Sequence, residues 1–363
     1  MMEFPLLLDP FSIADVKIKN RVVMAPVYTA LGSKDSMVTD MMIDYYKERA
    51  IGGTGMIVVE AMAVHASGHG MENQVALYKD GVLDGLSKLA KAIKDAGAVA
   101  VLQLHHIGKF NTLGKALAPS ATTYAFGGAQ LSSVEISLQE MDEIKNAFAQ
   151  AAVLAQKAGF DMVELHGGAG YLLASFFSPH ANFRSDDYGG SLEKRARYPL
   201  EILKAVKTAV GNKYPVGWRL CADEFLPDGI TLEQNLQFVP MLEKAGAAYI
   251  SPVFGTYESF FLPDIVTLLK KPGYGVTVSG KLKETVKIPV FANGRIIAPQ
   301  QAEKLLSDNQ ADAVALGRPL VSDPAFVRKA ETGAANTIKA CKACDTCMMR
   351  IMMGRRIKCD NWK

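Results

Sequence analysis

The sequence lacks several features that would direct it to a membrane or to a nucleic acid. It contains no run of about 18 apolar residues, the length that a membrane-spanning helix needs. Residues 1–5 have no basic start and no long apolar stretch follows them, so no secretion signal is expected. The net charge is only +3, too balanced to indicate nucleic-acid binding. We therefore expect a globular protein that acts on neither membranes nor nucleic acids.

Cysteine is nearly absent until the end of the chain. Only Cys221 precedes a C-x2-C-x2-C-x11-C pattern formed by Cys341, Cys344, Cys347 and Cys359. Three thiolates at three-residue intervals, closed by a fourth, suit the corners of a 4Fe-4S cluster. Structural zinc usually takes two separated cysteine pairs and is the alternative, with idle or disulfide-bonded thiols a further one. Clustered thiols without a secretion signal indicate a reducing cytoplasm.

The rest of the chain shows the alternation of a barrel. Short apolar runs, typical of buried parallel strands, lie near 22–25, 56–59, 99–103, 162–165, 216–220, 249–253, 290–292 and 313–316. Amphipathic segments such as 138–158, 193–210 and 231–245 separate them. Eight strand–helix repeats predict an α/β fold, a TIM (β/α)8 barrel over 1–335 with a Cys-rich tail over 336–363. A doubly wound sheet is the alternative, weakened because no G-x-G-x-x-G turn follows the first strand.

Polar residues and glycines follow the predicted strands, where the active sites of barrels form. Gly294 and Gly317 follow strands seven and eight, the usual place for a phosphate held by backbone N–H groups. Arg295 and Arg318 stand beside them as a possible charge-assisted clamp, and Asn293 precedes the first loop. The alternative is that the glycines only serve tight turns and the arginines cap helices.

Several stretches resemble one known family. They are 19–26 (KNRVVMAP), 103–105 (QLH), 166–179 (HGGAGYLLASFFSP), 182–195 (NFRSDDYGGSLEKR) and 312–324 (DAVALGRPLVSDP). Together they resemble the old yellow enzyme (NADH:flavin oxidoreductase) family over the whole barrel. The cysteine tail is similar to that of its iron–sulfur branch, which includes the N-terminal part of 2,4-dienoyl-CoA reductase and trimethylamine dehydrogenase. Dinucleotide-binding domains follow the cluster in those relatives; none is expected here, since the sequence ends at Lys363.

The resemblance implies a barrel that binds FMN without a covalent bond. Pro26, Val27 and Ala61 would then lie along the flavin ring. Gln103 would hydrogen-bond its pyrimidine end, and Arg219 would stabilise the anionic reduced form. The two glycine–arginine loops would hold the FMN phosphate, in agreement with the barrel argument.

The same resemblance implies two catalytic residues. His166 would bind the electron-withdrawing group of the substrate, and Tyr171 would donate a proton to the substrate α-carbon. A structural role at a strand end is the alternative for His166, and ring packing is the alternative for Tyr171. His105 and His106 are weaker candidates, and the alternative for each is that it orients Gln103 or the loop.

Three positions depart from the family pattern. Ala169 stands where a second histidine or an asparagine is usual, so a two-donor clamp on a carbonyl group is incomplete. Tyr28 replaces a cysteine or threonine beside the flavin and would either supply the missing donor or narrow the pocket. Cys221 replaces a serine and is interpreted as a small buried residue.

The resulting hypothesis is a flavin-dependent ene-reductase. Hydride from FMN would add to an α,β-unsaturated carbonyl compound or thioester, with the proton from Tyr171. Electrons would enter through the cluster from an electron-transfer flavoprotein, a ferredoxin or a reductase subunit, or directly from NADH or NADPH. Two alternatives stay open: an amine dehydrogenase passing electrons out through the cluster, and an electron-transfer subunit without substrate turnover. The family also leads us to expect a homo-oligomer.

Overall fold

A computed structural model describes residues 3–126 and 129–362 of the chain. The predicted barrel begins at Met1 and Met2 and the predicted tail ends at Lys363; these three residues lie outside the described ones. Within the described residues, eight parallel strands form one sheet, in the order 250–254, 216–223, 162–167, 99–105, 56–63, 22–24, 313–316 and 291–292. A parallel bridge between Ile250 and Val290 joins the two edges, so the sheet closes into a barrel.

The strands alternate with helices along the chain. The strands are β1 (Phe11–Ile13), β2 (Val16–Ile18), β3 (Val22–Met24), β4 (Met56–Ala63), β5 (Val99–His105), β6 (Leu117–Ala118), β7 (Thr123–Phe126), β8 (Ala129–Ser132), β9 (Val134–Glu135), β10 (Met162–Gly167), β11 (Val216–Asp223), β12 (Ile250–Phe254), β13 (Phe291–Ala292) and β14 (Ala313–Leu316). The helices are α1 (Asp40–Ile51), α2 (Val82–Asp95), α3 (Leu138–Lys157), α4 (Leu172–Phe177), α5 (Leu192–Val210), α6 (Leu232–Lys244), α7 (Pro263–Leu269), α8 (Val276–Lys283), α9 (Pro299–Ser307), α10 (Arg318–Ser322), α11 (Phe326–Glu331) and α12 (Thr346–Met352). The eight predicted barrel strands and the three predicted helices are confirmed.

Local sequence explains where the long helices begin. Ser137 caps α3, because its hydroxyl accepts from the Glu140 backbone N–H while the Glu140 side chain bonds back to the cap residue. Ser191 caps α5 through the Lys194 backbone N–H. Ser191 therefore marks the beginning of α5, as Ser137 marks that of α3.

The barrel has two apolar cores. The smaller one lies inside the barrel and is called the apolar floor; the larger one lies between the strands and the surrounding helices. Successive side chains of a strand point to opposite faces, so alternate residues enter the barrel. Val101, Met162, Tyr249 and Phe291 belong to the inner cluster, and the rings of Tyr249 and Phe291 stack at 4.7 Å. The outer cluster packs the strands against the surrounding helices. The strands are therefore buried on both faces, which explains their continuous apolar runs.

The cysteine tail is attached to the barrel by hydrogen bonds. The Ile357 backbone N–H donates to the Thr29 carbonyl at 2.8 Å, and Trp362 Nε1 donates to the Val321 carbonyl at 2.7 Å. Asn361 Nδ2 donates to Ser322 Oγ at 2.7 Å. The tail thus lies against the loop after β3 and against α10.

None of the helices in the described part of the chain is both long enough and apolar enough to cross a membrane.

Candidate active site at the strand ends

A layer of polar side chains lies directly above the apolar floor of the barrel. Strand pairing sets Gln103 of β5 beside Glu164 of β10, and Arg219 of β11 beside Ser251 of β12. Gln103 Nε2 donates to Glu164 Oε1 at 2.7 Å, and Arg219 Nη1 donates to Ser251 Oγ at 2.7 Å. Asn293 Nδ2 also reaches Ser251 Oγ, at 3.4 Å. Two of the predicted cofactor residues, Arg219 and Asn293, therefore share Ser251, and a third, Gln103, is bonded to Glu164 in the same layer.

Glu164 supplies the acidic charge of this layer and was not singled out from the sequence. Its Oε2 accepts from the Tyr249 hydroxyl at 3.0 Å, so both carboxylate oxygens are bonded. Burial raises the pKa of Glu164, while the nearby Arg219 charge opposes that shift. A glutamate in the otherwise apolar run of β10 was the available signal, because an acid inside a barrel needs a partner.

Two histidines and a tyrosine form an aromatic cluster above the polar layer. The Tyr171 ring meets His105 edge-on at 4.4 Å and His166 at 4.8 Å, and the two histidines are 5.3 Å apart. Within the described residues, neither ring nitrogen of His105 has a hydrogen-bond partner, although the side chain is fully buried. Unpaired buried nitrogens are costly, so this position suits a bound polar group.

Burial controls the protonation states in this cluster. Burial and the neighbouring Arg219 charge lower the pKa of His166 to about 3, so its imidazole is neutral at ordinary pH. The Gly168 backbone N–H donates to His166 Nδ1 at 3.3 Å, which leaves the proton on Nε2. Burial and contact with Tyr257 raise the pKa of Tyr171 well above its ordinary value. Tyr171 therefore keeps its phenolic proton.

Tyr257 is the direct polar neighbour of Tyr171. It lies in the turn after β12, and its hydroxyl is 2.9 Å from the Tyr171 hydroxyl. The hydroxyl of Tyr28, which the sequence suggested as the missing donor, donates a hydrogen bond to the Glu72 carbonyl.

A cavity of about 450 Å³ opens at the same end of the barrel. Its lining includes eight predicted cofactor residues, namely Pro26, Val27, Arg219, Asn293, Gly294, Arg295, Gly317 and Arg318. It also includes Cys341 of the tail, so the cavity extends from the strand ends to the cysteine region. Ala61, Gln103, His166, Tyr171 and Tyr28 are not among its lining residues.

The two glycine–arginine loops meet at this cavity. Gly294 has a φ of +112°, and a side chain there would overlap the backbone of Gly275, so glycine is required. The Arg295 guanidinium donates to the Lys270 carbonyl, while its buried Nε has no partner among the described residues. Arg318 Nη1 donates to Asp345 Oδ1 at 2.8 Å, which links the second loop to the tail. Both arginines keep further N–H donors for an anion.

The four tail cysteines line one small hollow together with Arg318 and Asp345. All five cysteines of the chain are free thiols, and Cys221 is buried as expected. No group of three or more His, Cys, Asp or Glu side chains in the described ranges is placed around a single metal position. The hollow nevertheless brings the predicted ligand set together.

A closed parallel barrel with buried polar groups at its strand ends defines an enzyme of the (β/α)8 class. The chain belongs to the NADH:flavin oxidoreductase / NADH oxidase family, whose model matches residues 6–337. The family to which the chain belongs is one of flavin oxidoreductases.

Similar proteins share this barrel and extend beyond it. An NADH oxidase of Thermoanaerobacter brockii is 39% identical over 99% of this chain and 56% of its own length. A 2-naphthoyl-CoA reductase in complex with 2-naphthoyl-CoA superposes with a TM-score of 0.94 at 29% identity, over 98% of this chain and 56% of that one. Histamine dehydrogenase from Rhizobium sp. 4-9 gives 0.89 at 26% identity, over 99% and 52%. The chain thus spans about half the length of these relatives.

Proposed function

We propose that this chain binds FMN and a 4Fe-4S cluster and reduces the C=C bond of an α,β-unsaturated carbonyl compound or thioester. The observation that carries the proposal is the Tyr171–His166–His105 cluster at the strand ends of a flavin-oxidoreductase barrel. The similar 2-naphthoyl-CoA reductase, which binds an aromatic thioester, supports this substrate class.

The residues present fit FMN. Arg219 and Gln103 offer donors in the polar layer, and the unpaired Nε of Arg295 beside Gly294 suits a phosphate. Pro26 and Val27 supply the apolar wall of the cavity. Bound FMN would supply the hydride for the reaction.

The chain's own residues would then complete the reduction. The neutral His166 donates a hydrogen bond from Nε2 to the substrate carbonyl oxygen. His105 offers a second donor, which compensates for Ala169. Tyr171 gives its phenolic proton to the α-carbon while a hydride adds to the β-carbon, so the C=C π bond breaks and two electrons and two protons are accounted for.

The tail residues fit a cluster that exchanges electrons with this site. Cys341, Cys344, Cys347 and Cys359 line one hollow, and Cys341 also lines the cavity. Four thiolates at this spacing are typical of a 4Fe-4S ligand set. We propose that a separate electron-transfer protein, or NADH or NADPH directly, supplies the electrons.

The test begins with anaerobically purified protein. We expect one flavin and about four irons per chain, with little zinc. Dithionite-reduced protein should be reoxidised by 2-cyclohexenone or cinnamoyl-CoA, and in D2O the product should carry deuterium at the α-carbon. Colourless, zinc-containing protein, or flavin that no enone reoxidises, would contradict the proposal.

The role of Tyr171 is tested by Tyr171→Phe. This variant should keep its flavin but lose roughly 100-fold or more in kcat, the scale on which a positioned general acid contributes. Tyr188→Phe is the matched control, because Tyr188 lies in the next family stretch, 182–195, and its hydroxyl donates to Glu201 at 3.3 Å. Equal activity of Tyr171→Phe and wild type would remove Tyr171 from the mechanism.

Oxidation of an amine is the second candidate, favoured by the similarity to histamine dehydrogenase. Aromatic side chains of Phe254 and Tyr257 line the cavity and would suit a cation. Bleaching of the oxidised flavin by histamine or trimethylamine, with no reoxidation by enones, would establish this direction instead.

A further inference from the structure

A buried ion cluster lies beside the candidate active site and is not used in the chemistry above. Glu258 Oε1 pairs with Lys109 Nζ, and Glu258 Oε2 lies 3.3 Å from His180 Nε2. The side chains of Lys109 and Glu258 are only 4% and 10% exposed. A buried lysine is rarely retained without a partner, so the pair is a specific contact rather than a solvated surface charge.

The ion pair has an adjacent aromatic pair in the same two segments. Lys109 and Phe110 belong to one short 3-10 helix, Gly108–Phe110, while Tyr257 and Glu258 are neighbours in the turn after β12. The rings of Phe110 and Tyr257 are 5.0 Å apart. Residue 109 therefore contacts residue 258, and residue 110 contacts residue 257. Together the two contacts fix how the two segments lie against each other.

The turn that carries both residues is compact. Thr256 N–H donates to Ser259 Oγ at 2.9 Å, and the Thr256 carbonyl accepts from Phe260 N–H at 2.9 Å. Glu258 N–H donates to Thr256 Oγ1 at 3.2 Å. Because these hydrogen bonds fix the shape of the turn, a contact that holds Glu258 in place also holds its neighbour Tyr257 in place.

The charges around Glu258 favour its ionised form. Burial acts against ionisation, but hydrogen bonds from His180 and Lys109 keep the pKa of the Glu258 carboxyl below its ordinary value. Glu258 in turn raises the pKa of His180. Glu224, bonded to Ser178, is the other acid near Lys109 and His180.

We infer that Glu258 is a positioning residue, which latches the turn 255–260 over the active site and holds the Tyr257 hydroxyl against the proton donor Tyr171. The latch consists of Glu258, Lys109 and His180. Its consequence for catalysis rests on the proposed function, whereas the latch itself does not.

The test uses the flavin-loaded holoenzyme and three variants. Glu258→Gln removes the carboxylate charge at constant shape, Lys109→Met removes its partner, and the third variant combines both. Lys283→Met is the matched control, because it breaks the 2.8 Å pair with Asp312 at the opposite end of the barrel. Hydrogen–deuterium exchange of 255–262 and steady-state kinetics with 2-cyclohexenone are measured for each.

We expect Glu258→Gln and Lys109→Met to speed exchange in 255–262 several-fold and to lower kcat roughly 10- to 100-fold, with a smaller change in KM. The double variant should lose little more than either single variant, because all act on one contact. Lys283→Met should change neither quantity.

Each contrary result has a distinct meaning. Unchanged exchange in both single variants would overturn the latch. Faster exchange with unchanged kcat would overturn the positioning role. If wild type reduces no enone at all, the proposed function fails, and the exchange measurement still decides whether the latch exists.

Discussion

Burial sets the chemistry of individual side chains in this barrel. His166 is neutral because burial and the neighbouring Arg219 charge lower its pKa, and Tyr171 keeps its proton because burial and the contact with Tyr257 raise its pKa. Neither residue should titrate near pH 7. If they act as proposed, neither one produces a steep change of rate between about pH 6 and 9.

Burial also favours the neutral form of Glu60, but for a carboxyl group this means that the pKa is raised, whereas the pKa of His166 is lowered. Glu60 Oε2 accepts from the Thr29 backbone N–H and the Tyr46 hydroxyl, both at 3.1 Å. Its Oε1 has no partner within the described ranges. Burial raises the pKa of Glu60 to about 8, despite the hydrogen bonds that oppose the shift.

This raised pKa makes the stability of the protein depend on pH. Between pH 4.5 and about 8 the folded protein retains a proton that the unfolded chain has released. The free energy of unfolding therefore falls as pH rises through this window, by at most about 1.4 kcal/mol per pH unit. Glu60→Gln cannot lose that proton, so we expect its stability relative to wild type to increase from pH 5 to pH 8.

Denaturant unfolding at pH 5, 6.5 and 8 measures the effect. Glu48→Gln serves as the control, because Glu48 lies on the neighbouring helix α1 with its side chain 62% exposed. Parallel pH curves for wild type and Glu60→Gln would contradict the raised pKa.

At the level of elements, the tail depends on a few anchors rather than on a core of its own. The Trp362 ring packs 6.5 Å from Tyr45, and its Nε1 bonds the Val321 carbonyl. Helix α12 exposes Met349 and Met352 to solvent, and Met353, directly after the helix, is also exposed. The tail therefore has little apolar burial apart from its contact with the barrel.

Trp362→Ala should detach the end of the tail. Loss of a partly buried aromatic ring and one hydrogen bond costs roughly 1–3 kcal/mol of local stability. We expect faster proteolysis within 338–362 and lower iron content, with barrel unfolding unchanged. Met353→Ala is the control, since that side chain is 61% exposed. Equal proteolysis of the two variants would show that Trp362 is not an anchor.

At the scale of the whole molecule, three successive layers of side chains fill the interior of the barrel. An apolar floor that includes Tyr249 and Phe291 supports the polar layer, which in turn lies below the aromatic cluster. Gly217 makes room for the Tyr249 ring, because a Cβ at that position would overlap it. The site is thus supported by close packing through the barrel.

Gly217→Ala should destabilise the entire barrel. The added methyl group must displace Tyr249, which also bonds Glu164, so we expect a loss of about 1–3 kcal/mol in unfolding free energy. Gly114→Ala is the matched control, because its Cβ would make only ordinary contacts, the nearest at 3.5 Å. A thermal midpoint for Gly217→Ala equal to that of Gly114→Ala would rule out this packing role.

The sequence alone was enough to determine the eight barrel strands, the long helices and the loops that follow strands seven and eight. These depend on local patterns: continuous apolar runs for strands buried on both faces, a helical period for the amphipathic segments, and capping serines such as Ser137 and Ser191. The family could also be recognised from the sequence, because each of its motifs is a contiguous stretch of residues. Most of the predicted cofactor residues were found by the rule that barrel active sites form where the strands end, and these residues line one cavity.

Only the tertiary structure decided which polar groups pair. The partners are far apart along the chain: 61 residues separate Gln103 from Glu164, 86 separate Tyr171 from Tyr257, and 149 separate Lys109 from Glu258. No local pattern encodes such contacts, because they depend on strand register and on the path of loops. The protonation states of His166 and Glu60 follow from burial in the assembled barrel, since the cost of a buried charge exists only after neighbouring elements have excluded water.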